Sequence, residues 1–470
     1  MTPVLAFLLL AATLWGLVLA RRASVLLAAL ATIVVGYALG HSFWNLHLGP
    51  LPITLDRVML AGLMGLVAWR WHTGKLTPAR IGGAEWALAA TLVWLTLSAL
   101  VSRPGADVHL PSSPMWRLLF SFWAPALLLF AVRAAKESSR NALLFLAGLA
   151  LLGGYLAVTA IAETAGAWAF VFPRYIADPE LGLHFGRARG PALNSVSLGV
   201  YLTVCLWAAW LLIPRAPKPA KVALALLVPL MALSVLLTYT RSVWIGALVS
   251  GVVVLLWHTP KDYRKAALLS MLGVGVIVGP IAMASLVAFK REDSGYASKH
   301  SVEQRGAFAY VSWKMFCDHP LTGVGFGRFY DQKLPYLSDR SQKFELESLR
   351  PLHHHNTLLS LLTETGMIGL LAYLGLLGGL LRASWRLANS PSADDAARRI
   401  GILSVATLTA YLPSAVFHDL SLVHTDQWLV LMIAGAALSF ERRLGLKDLP
   451  ETSRRRTFTG VPSSIATANS

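Results

Sequence analysis

Charged residues and cysteine are both scarce in this sequence. Only 14% of its 470 residues are Asp, Glu, Lys or Arg, whereas 56% are hydrophobic. A soluble domain cannot bury that much apolar surface, so a soluble protein is excluded. Cysteine occurs twice, at Cys205 in an apolar stretch and at Cys317 in a long polar segment. Two cysteines placed in this way support neither a disulfide framework nor a thiolate metal site.

Long hydrophobic runs bounded by charges, Pro or Gly dominate the chain. A helix needs about 20 mainly apolar residues to cross a hydrocarbon core of roughly 30 Å. Thirteen runs of this kind predict an all-α polytopic membrane protein with about 12–13 transmembrane helices. The predicted spans are 3–20, 23–43, 51–69, 83–101, 114–132, 142–163, 194–213, 222–239, 243–257, 267–289, 356–381, 400–417 and 427–440.

The net charge of +17 indicates topology rather than nucleic-acid binding. Alternate short connections from Arg21 onward, together with the C-terminal tail, hold 24 of the 41 Lys and Arg residues. Short basic connections lie on the cytoplasmic side of a membrane, so we predict that the C-terminus is cytoplasmic. The first apolar run has its arginines after it, which favours a span over a cleaved signal peptide.

Two outer connections, 164–193 and 290–355, are too long to be simple turns, and segments of that length tend to be functional or disordered. Their composition favours order. We divide the chain into a first part of the transmembrane bundle (1–289, including the loop 164–193), a large periplasmic loop (290–355), a second part of the bundle (356–441) and a basic cytoplasmic tail (442–470). The tail is typical of a disordered segment attracted to anionic lipid.

Two patterns stand out within the large loop. The stretch EQRGAFAYVSWKMFCD places Ala307, Phe308, Val311 and Met315 at the spacing of an amphipathic helix. The glycines of the following HPLTGVGFGRF suggest a dinucleotide fingerprint, but no strand precedes them and the third-position glycine is missing. A tight glycine loop is the better interpretation.

Three consecutive histidines, His353, His354 and His355, end this loop where Asn356 opens an apolar helix that carries Glu364. Titratable groups at a water-facing edge of a membrane are suited to proton transfer, and His355 adjoins the helix start. The alternative is an interfacial polar cluster bonded to backbone and headgroups. Three consecutive residues cannot all face one ion, which argues against a metal site built from them alone.

Glu364 lies about 12 Å into that helix at 1.5 Å per residue, a costly depth for an ionised acid. It must be neutral, paired or in a wet cavity. The glycines that follow are best explained by helix packing, and two of them form a small-xxx-small pair. These glycines are Gly366, Gly369, Gly375 and Gly379.

Four arginines, Arg187, Arg189, Arg241 and Arg305, are expected at the outer ends of helices or in the outer loops, where orientation does not require them. Guanidinium groups match phosphate oxygens two at a time, so they suit the diphosphate of a lipid-linked substrate. The alternative is that each arginine reaches the headgroup region or pairs with a nearby carboxylate.

The chain resembles a known superfamily at several short motifs. RGPAL, with Arg189 and Leu193, fits the R-x3-L motif of bacterial O-antigen ligases, and His355 with Gly366 fits their H-x10-G motif. TYTRSVWIG around Arg241 and the segment CDHPLTGVGFGRF also resemble the region shared by O-antigen ligases, Wzy-type O-antigen polymerases and bacterial O-oligosaccharyltransferases. The resemblance covers roughly residues 189–379.

This resemblance implies a C-type glycosyltransferase with its active site facing the periplasm, in the bacterial inner membrane. Such an enzyme transfers a glycan from undecaprenyl diphosphate to an acceptor hydroxyl, here most simply that of lipid A core. It also implies that His355 is catalytic and that Arg189 and Arg241 hold the donor diphosphate, without a metal ion or cofactor. From the sequence itself, Arg187 and Arg305 are expected to join the diphosphate site.

Supporting roles are predicted for His354, Asn356 and Glu364. The outer loops contain no DxD-type acidic pair, as a metal-independent route would predict. A positioned general base contributes about 10² to 10⁴ in rate, and arginines can neutralise the charge of the departing diphosphate.

Two other functions remain open from the sequence. An O-antigen or exopolysaccharide polymerase would use the same donor chemistry to extend another lipid-linked chain. A transporter or flippase for lipid-linked oligosaccharides would also need cations, but near the bilayer midplane between related halves. No convincing internal repeat is present, and the arginines are predicted at one edge of the membrane.

Overall fold

The computed structural model describes residues 24–48, 51–76, 81–102, 114–270, 273, 276, 295–339, 341 and 345–445. Most of them are helical, and one antiparallel hairpin, Asn45–Leu48 with Leu51–Thr54, is the β-structure within these ranges. The helices are α1 (Val25–Ala38), α2 (Leu55–His72), α3 (Gly83–Val101), α4 (Pro114–Ala134), α5 (Ser139–Thr164), α6 (Ser195–Leu212), α7 (Lys218–Leu237), α8 (Arg241–His258), α9 (Gly295–Asp318), α10 (Phe329–Gln332), α11 (Thr357–Asn389), α12 (Asp395–Phe417) and α13 (His424–Arg443).

Eight of the described helices are long and apolar enough to cross a membrane, namely α3 to α8, α11 and α12. The helix α1 is apolar but shorter. The prediction of an all-α polytopic membrane protein is therefore confirmed. The predicted span 3–20, most of the span 267–289 and the tail from residue 446 lie outside the described residues.

Polar side chains cap several of these helices at their first turn. The Asn194 carboxamide accepts hydrogen bonds from the backbone N–H groups of Val196 and Ser197 at the start of α6. The Asn356 carboxamide accepts one from Leu359 at 2.9 Å, so α11 begins where the sequence predicted. Such caps satisfy amide groups that the helix itself leaves open. The cap at Asn356 fixes the position of the three histidines immediately before it.

Helices α6 and α13 form the centre of the bundle, because nearly all of their side chains are buried. Helix α7 lies at the periphery, where most of its apolar side chains are exposed. A helix that is apolar on every side and buried only in part is what a lipid environment permits. The bundle therefore has a packed interior and an apolar outer surface suited to lipid.

Helix α11 is interrupted at Gly366, whose backbone (φ 68°, ψ −169°) is not helical. The glycine loop of residues 320–327 inserts at this break: the Gly325 N–H donates to the Glu364 carbonyl at 2.8 Å, and the Met367 N–H donates to the Pro320 carbonyl at 2.9 Å. The loop thus satisfies backbone groups that the break would leave open inside the protein. Gly323, at φ 68°, packs against the same turn of the helix.

This geometry confirms the predicted tight glycine loop, whose three glycines all have positive φ. Gly366 was expected to allow close packing of two helices, but it instead permits a break in α11. Gly379 behaves as predicted, because a Cβ atom there would lie 2.9 Å from the Cα of Ala84 in α3. Gly366 and the loop together join the extramembrane segment to the bundle.

The amphipathic helix predicted in the large loop is α9. Its apolar stripe is buried in a small separate core, where Phe308 packs against Phe329. The members of the stripe are Ala307, Phe308, Val311 and Met315. The described part of the loop is therefore ordered, as its composition indicated.

Candidate functional site

A cavity of about 290 Å³ lies where three elements meet at one end of the bundle. His353, His354 and His355 approach it from the start of α11, Arg305 from α9, and His418 from the end of α12. Among the described residues that line it, Asp419 is the single carboxylate. We call this space the histidine cavity.

His355 is the most exposed of the three consecutive histidines, and its ring packs edge-on against Phe308 at 5.1 Å between centroids. Partial loss of hydration in the cavity lowers the pKa of His355 below its usual 6.5, and the charge of Arg305 lowers that pKa further. The imidazole is therefore neutral at pH 7. A neutral, accessible imidazole can accept a proton.

The other two histidines are held by aromatic contacts. His354 is only 3% exposed and stacks on Phe329 at 3.5 Å, and burial keeps its pKa well below the usual value. His353 stacks on Tyr330 at 4.8 Å, and burial followed by the charge of Lys333 lowers its pKa to about 4. His354 therefore serves the packing of this wall, consistent with the supporting role that the sequence predicted.

Of the four predicted arginines, Arg305 lines this cavity, and the charges of Arg187 and Arg241 affect groups in it. The Arg305 guanidinium lies 5.6 Å from the centroid of the Phe417 ring, and partial burial together with the charge of Arg241 lowers the pKa of Arg305. Burial is the main cause that lowers the pKa of His418 to about 3, and the charge of the half-buried Arg187 contributes to it. The exposed Arg241 lies at the first position of α8. Arg305 therefore lines the cavity together with Asp419, and Arg187 and Arg241 add positive charge near it.

Arg189 is not among the residues that line this cavity. Its side chain is fully buried, and its guanidinium donates to the backbone carbonyls of Leu181, Ile176 and Asp178 at 2.5, 2.8 and 2.6 Å. It also lies 3.4 Å from the Glu163 carboxylate. The geometry therefore does not bring Arg189 to the predicted diphosphate site, because its donors are already used inside the segment 164–194. We call that segment the Arg189 loop.

The motif that contains Arg189 has a clear structural use. The Glu163 carboxylate accepts hydrogen bonds from the backbone N–H groups of Arg189 and Gly190 at 2.9 and 3.1 Å. The Leu193 carbonyl accepts one from Leu183 at 3.0 Å. These bonds close the loop over the ends of α5 and α6. The loop in turn carries Arg187 and His184 to the cavity.

Glu364 is ion-paired. Its position well inside the helix had left three possibilities, namely a neutral side chain, an ion pair or a water-filled cavity. The Arg117 guanidinium donates to the Glu364 carboxylate at 2.8 Å and to the Ser360 hydroxyl at 2.9 Å. It also donates to Ser421 at 2.6 Å and lies 3.5 Å from the Asp419 carboxylate. We call these five residues the Arg117 network. Both acids and the arginine are buried, so each depends on the others for its charge.

Sequence reasoning missed Arg117, His418, Asp419 and Lys333. Arg117 lies inside a predicted span, and Asp419 directly follows another. Charged residues in or beside a span are themselves an indication of function or pairing, and that signal was used only for Glu364. Nothing in the sequence pattern separates Lys333 from ordinary loop lysines, although it is fully buried and donates to the Leu352 carbonyl.

Within the described ranges, no group of three or more His, Cys, Asp or Glu side chains is arranged to hold a metal ion. The two cysteines are free thiols, with Cys205 buried and Cys317 exposed. The donor groups that the cavity offers to a ligand are instead guanidinium and imidazole nitrogens. This set suits an anion better than a cation.

Residues 226–374 match the family model described as O-antigen ligase. No curated protein matches the chain. The matched segment contains Arg241, Arg305, His355 and Glu364, together with the glycine loop and the break at Gly366. The cationic part of the histidine cavity is therefore built largely from the segment that carries the family match.

Proposed function

We propose that this chain, whose residues 226–374 match the O-antigen ligase family model, transfers a polysaccharide from undecaprenyl diphosphate to a sugar hydroxyl of lipid A core. The reaction is placed at the periplasmic face of a bacterial inner membrane, with the C-terminus in the cytoplasm. The observation that carries the proposal is that the exposed His355 and Arg305 line one cavity.

The arginines supply the donor site. A diphosphate leaves readily once the charge that develops on its departing oxygen is neutralised, and preorganised guanidinium groups can do this. Arg305 and Arg241 are near enough for their charges to interact, and the charge of Arg187 also reaches the cavity at His418. Like charges repel one another in the empty site, and this unfavourable energy is offset when an anion binds between them. The arrangement is therefore suited to a ligand with at least two negative charges.

His355 supplies the base for the acceptor. The imidazole takes the proton of the acceptor hydroxyl, whose oxygen attacks the anomeric carbon of the donor glycan. The bond from that carbon to the phosphate oxygen breaks, and its electron pair stays on the diphosphate. Attack from the face opposite the leaving group inverts the configuration at the anomeric carbon. No metal ion is needed, because the arginines carry the charge stabilisation.

The remaining predicted residues hold this geometry. The Asn356 cap fixes the start of α11, and His354 packs below the cavity wall. The Arg117 network ties α4 to α11 and to the turn after α12, so Glu364 and Asp419 act as positioning residues. Arg189 also takes a positioning role in this proposal, because its loop supports Arg187.

The two alternative functions are less well supported. A flippase would bind the diphosphate near the midplane of the bilayer, whereas these cations gather at one end of the bundle. An O-antigen polymerase would share the donor site and differ only in the acceptor. The family match does not separate these two transferases.

The proposal is tested by incubating the purified protein with lipid-linked glycan and lipid A core. A ligase caps lipid A core with polysaccharide, and a polymerase produces a ladder of products on the carrier lipid. Movement of donor across the bilayer without a new glycosidic bond would support the flippase instead. Retention of normal transfer in His355→Ala or in Arg241→Lys would contradict the roles assigned to these residues.

A further inference from the structure

A second, larger cavity adjoins the histidine cavity. Its volume is about 600 Å³, within the usual range for ligand sites. The start of α2 contributes Asp56 and Arg57, the first two turns of α4 contribute Trp116 and Phe120, and α13 contributes His424. None of these residues has a part in the donor chemistry described above. We call this space the aromatic cavity.

The two cavities are contiguous. Leu183, Asn194, Leu422 and Val423 line both of them. Arg117 lines the aromatic cavity and Asp419 lines the histidine cavity, and their side chains approach to 3.5 Å. The wall between the cavities is therefore thin and is formed partly by the Arg117 network. A ligand in the aromatic cavity would therefore lie next to the cavity that His355 lines.

The cations of the aromatic cavity are already engaged. The Arg57 guanidinium lies over the Phe120 ring and is adjacent in sequence to the acid Asp56. Arg117 is bound to Glu364 and Asp419. A polar, uncharged ligand therefore fits this lining better than a diphosphate.

Aromatic and polar groups face the cavity together. The rings of Trp116 and Phe120 stack at 5.6 Å with an interplanar angle of 22°, and the Arg57 guanidinium lies 3.7 Å from the Phe120 centroid. Beside them, the His424 Nε2 lies 3.4 Å from an oxygen of the Asp56 carboxylate. The flat ring of Trp116 can accept the C–H face of a pyranose, while a carboxylate and an imidazole bond to its hydroxyl groups.

We propose that the aromatic cavity is a saccharide subsite that holds the terminal sugars of the acceptor, and this inference rests on the proposed transferase function. The acceptor enters this cavity and its hydroxyl reaches across the shared rim to His355. The donor diphosphate stays with Arg305 and Arg241 in the histidine cavity. Separate cavities for the two substrates keep the neutral sugar away from the strongest cationic field.

The test measures binding of two probes to the full-length protein in lipid nanodiscs. The first probe is the core oligosaccharide freed from its lipid, and the second is undecaprenyl diphosphate without a glycan. Trp116→Ala should weaken binding of the oligosaccharide about five- to tenfold and leave binding of the carrier diphosphate unchanged. Trp116→Phe should restore most of the affinity, because it keeps an aromatic face.

Two further variants keep the test decisive. Asp56→Asn preserves the volume of the side chain but removes its charge, and it should weaken oligosaccharide binding by a similar factor. Trp313→Ala is the matched control, since Trp313 is 58% exposed on α9 and lines neither cavity. It should bind both probes like the wild-type protein.

Unchanged oligosaccharide binding in both Trp116→Ala and Asp56→Asn would overturn the subsite. The same conclusion follows if these variants weaken only the binding of a glycan-bearing donor, because the cavity would then hold the donor sugar. Failure of the underlying function has a different signature, which is full affinity of Arg305→Ala for the carrier diphosphate. The two failures are therefore distinguishable.

Discussion

The Arg189 loop and the segment from α9 to the histidines use arginine in opposite ways. Arg189 is fully buried and bonds to three carbonyl groups and a carboxylate within its own region. Arg305 is exposed to a cavity and has another cation, Arg241, for a neighbour. The first arginine stabilises the fold, and the second has binding capacity left for a ligand. Burial and partners decide the role, although both residues belong to the same predicted site.

This difference has a physical cause in the surrounding backbone. The Arg189 loop turns sharply over the end of α5, so several carbonyl groups point inward and need donors. A guanidinium supplies up to five donors from one side chain. The α9 segment satisfies its own carbonyl groups by being helical, so Arg305 remains available. Four predictions test the contrast between these two regions.

The largest effect is expected at His355, the proposed general base in the histidine cavity. His355→Ala should lower the rate of glycan transfer about 10²- to 10⁴-fold, because no other neutral imidazole is as exposed there. The measurement is transfer from lipid-linked glycan to lipid A core by purified protein. His319→Ala, an exposed histidine of the same segment outside this cavity, should keep normal activity. Equal rates in the two variants would remove His355 from the mechanism.

A large effect on stability, rather than on binding, is expected in the Arg189 loop. Arg189→Ala should destabilise the protein by about 3–5 kcal/mol, because it leaves Glu163 buried without its positive partner and several carbonyl groups without their donor. Thermal unfolding in detergent measures the loss. Arg350→Ala, which changes an exposed arginine, should unfold like the wild type. A stable Arg189→Ala protein that has lost only donor binding would reverse the role given to Arg189.

Arg305→Ala should show the complementary behaviour. It should weaken binding of undecaprenyl diphosphate about 10- to 100-fold through loss of a charge-assisted contact. Its unfolding temperature should stay unchanged, since the side chain is exposed. Binding to nanodiscs and thermal unfolding, measured on the same preparation, separate the two effects. A drop in stability without a drop in affinity would show that both arginines are structural.

The smallest effect is a change in pH dependence. Activity should fall as the pH drops through the pKa of His355, which burial and Arg305 hold below 6.5. Arg305→Ala removes a positive neighbour, so the pKa should rise and the acidic limb should move to higher pH. Rates measured across the acidic range at saturating donor check this. An acidic limb at the same pH in Arg305→Ala and the wild type would show that a group other than His355 controls the loss of activity.

The sequence was informative about helices and about the start of α11. Hydrophobic length predicted the eight described helices that are long and apolar enough to cross a membrane. Asn356 predicted a helix start, and the spacing of Ala307, Phe308, Val311 and Met315 predicted the buried face of α9. These features depend on local pattern, which a sequence displays directly. The glycine loop was predicted for the same reason.

The partners of buried charges could not be predicted in this way. Arg117 and Glu364 are 247 positions apart, and Arg117 and Asp419 are 302 apart. Their contacts depend on how α4, α11 and α12 pack, and no local pattern specifies that. For the same reason, the R-x3-L motif did not reveal that the Arg189 side chain points into its own loop. Long-range packing decided both outcomes.

The central claim is tested most directly by a structure of the protein with undecaprenyl diphosphate bound in a nanodisc. The account predicts phosphate oxygens within about 3 Å of the Arg305 guanidinium. It also predicts that the phosphate oxygen that would carry the glycan faces His355. A diphosphate bound in the aromatic cavity, or anywhere beyond reach of Arg305 and Arg241, would contradict the account.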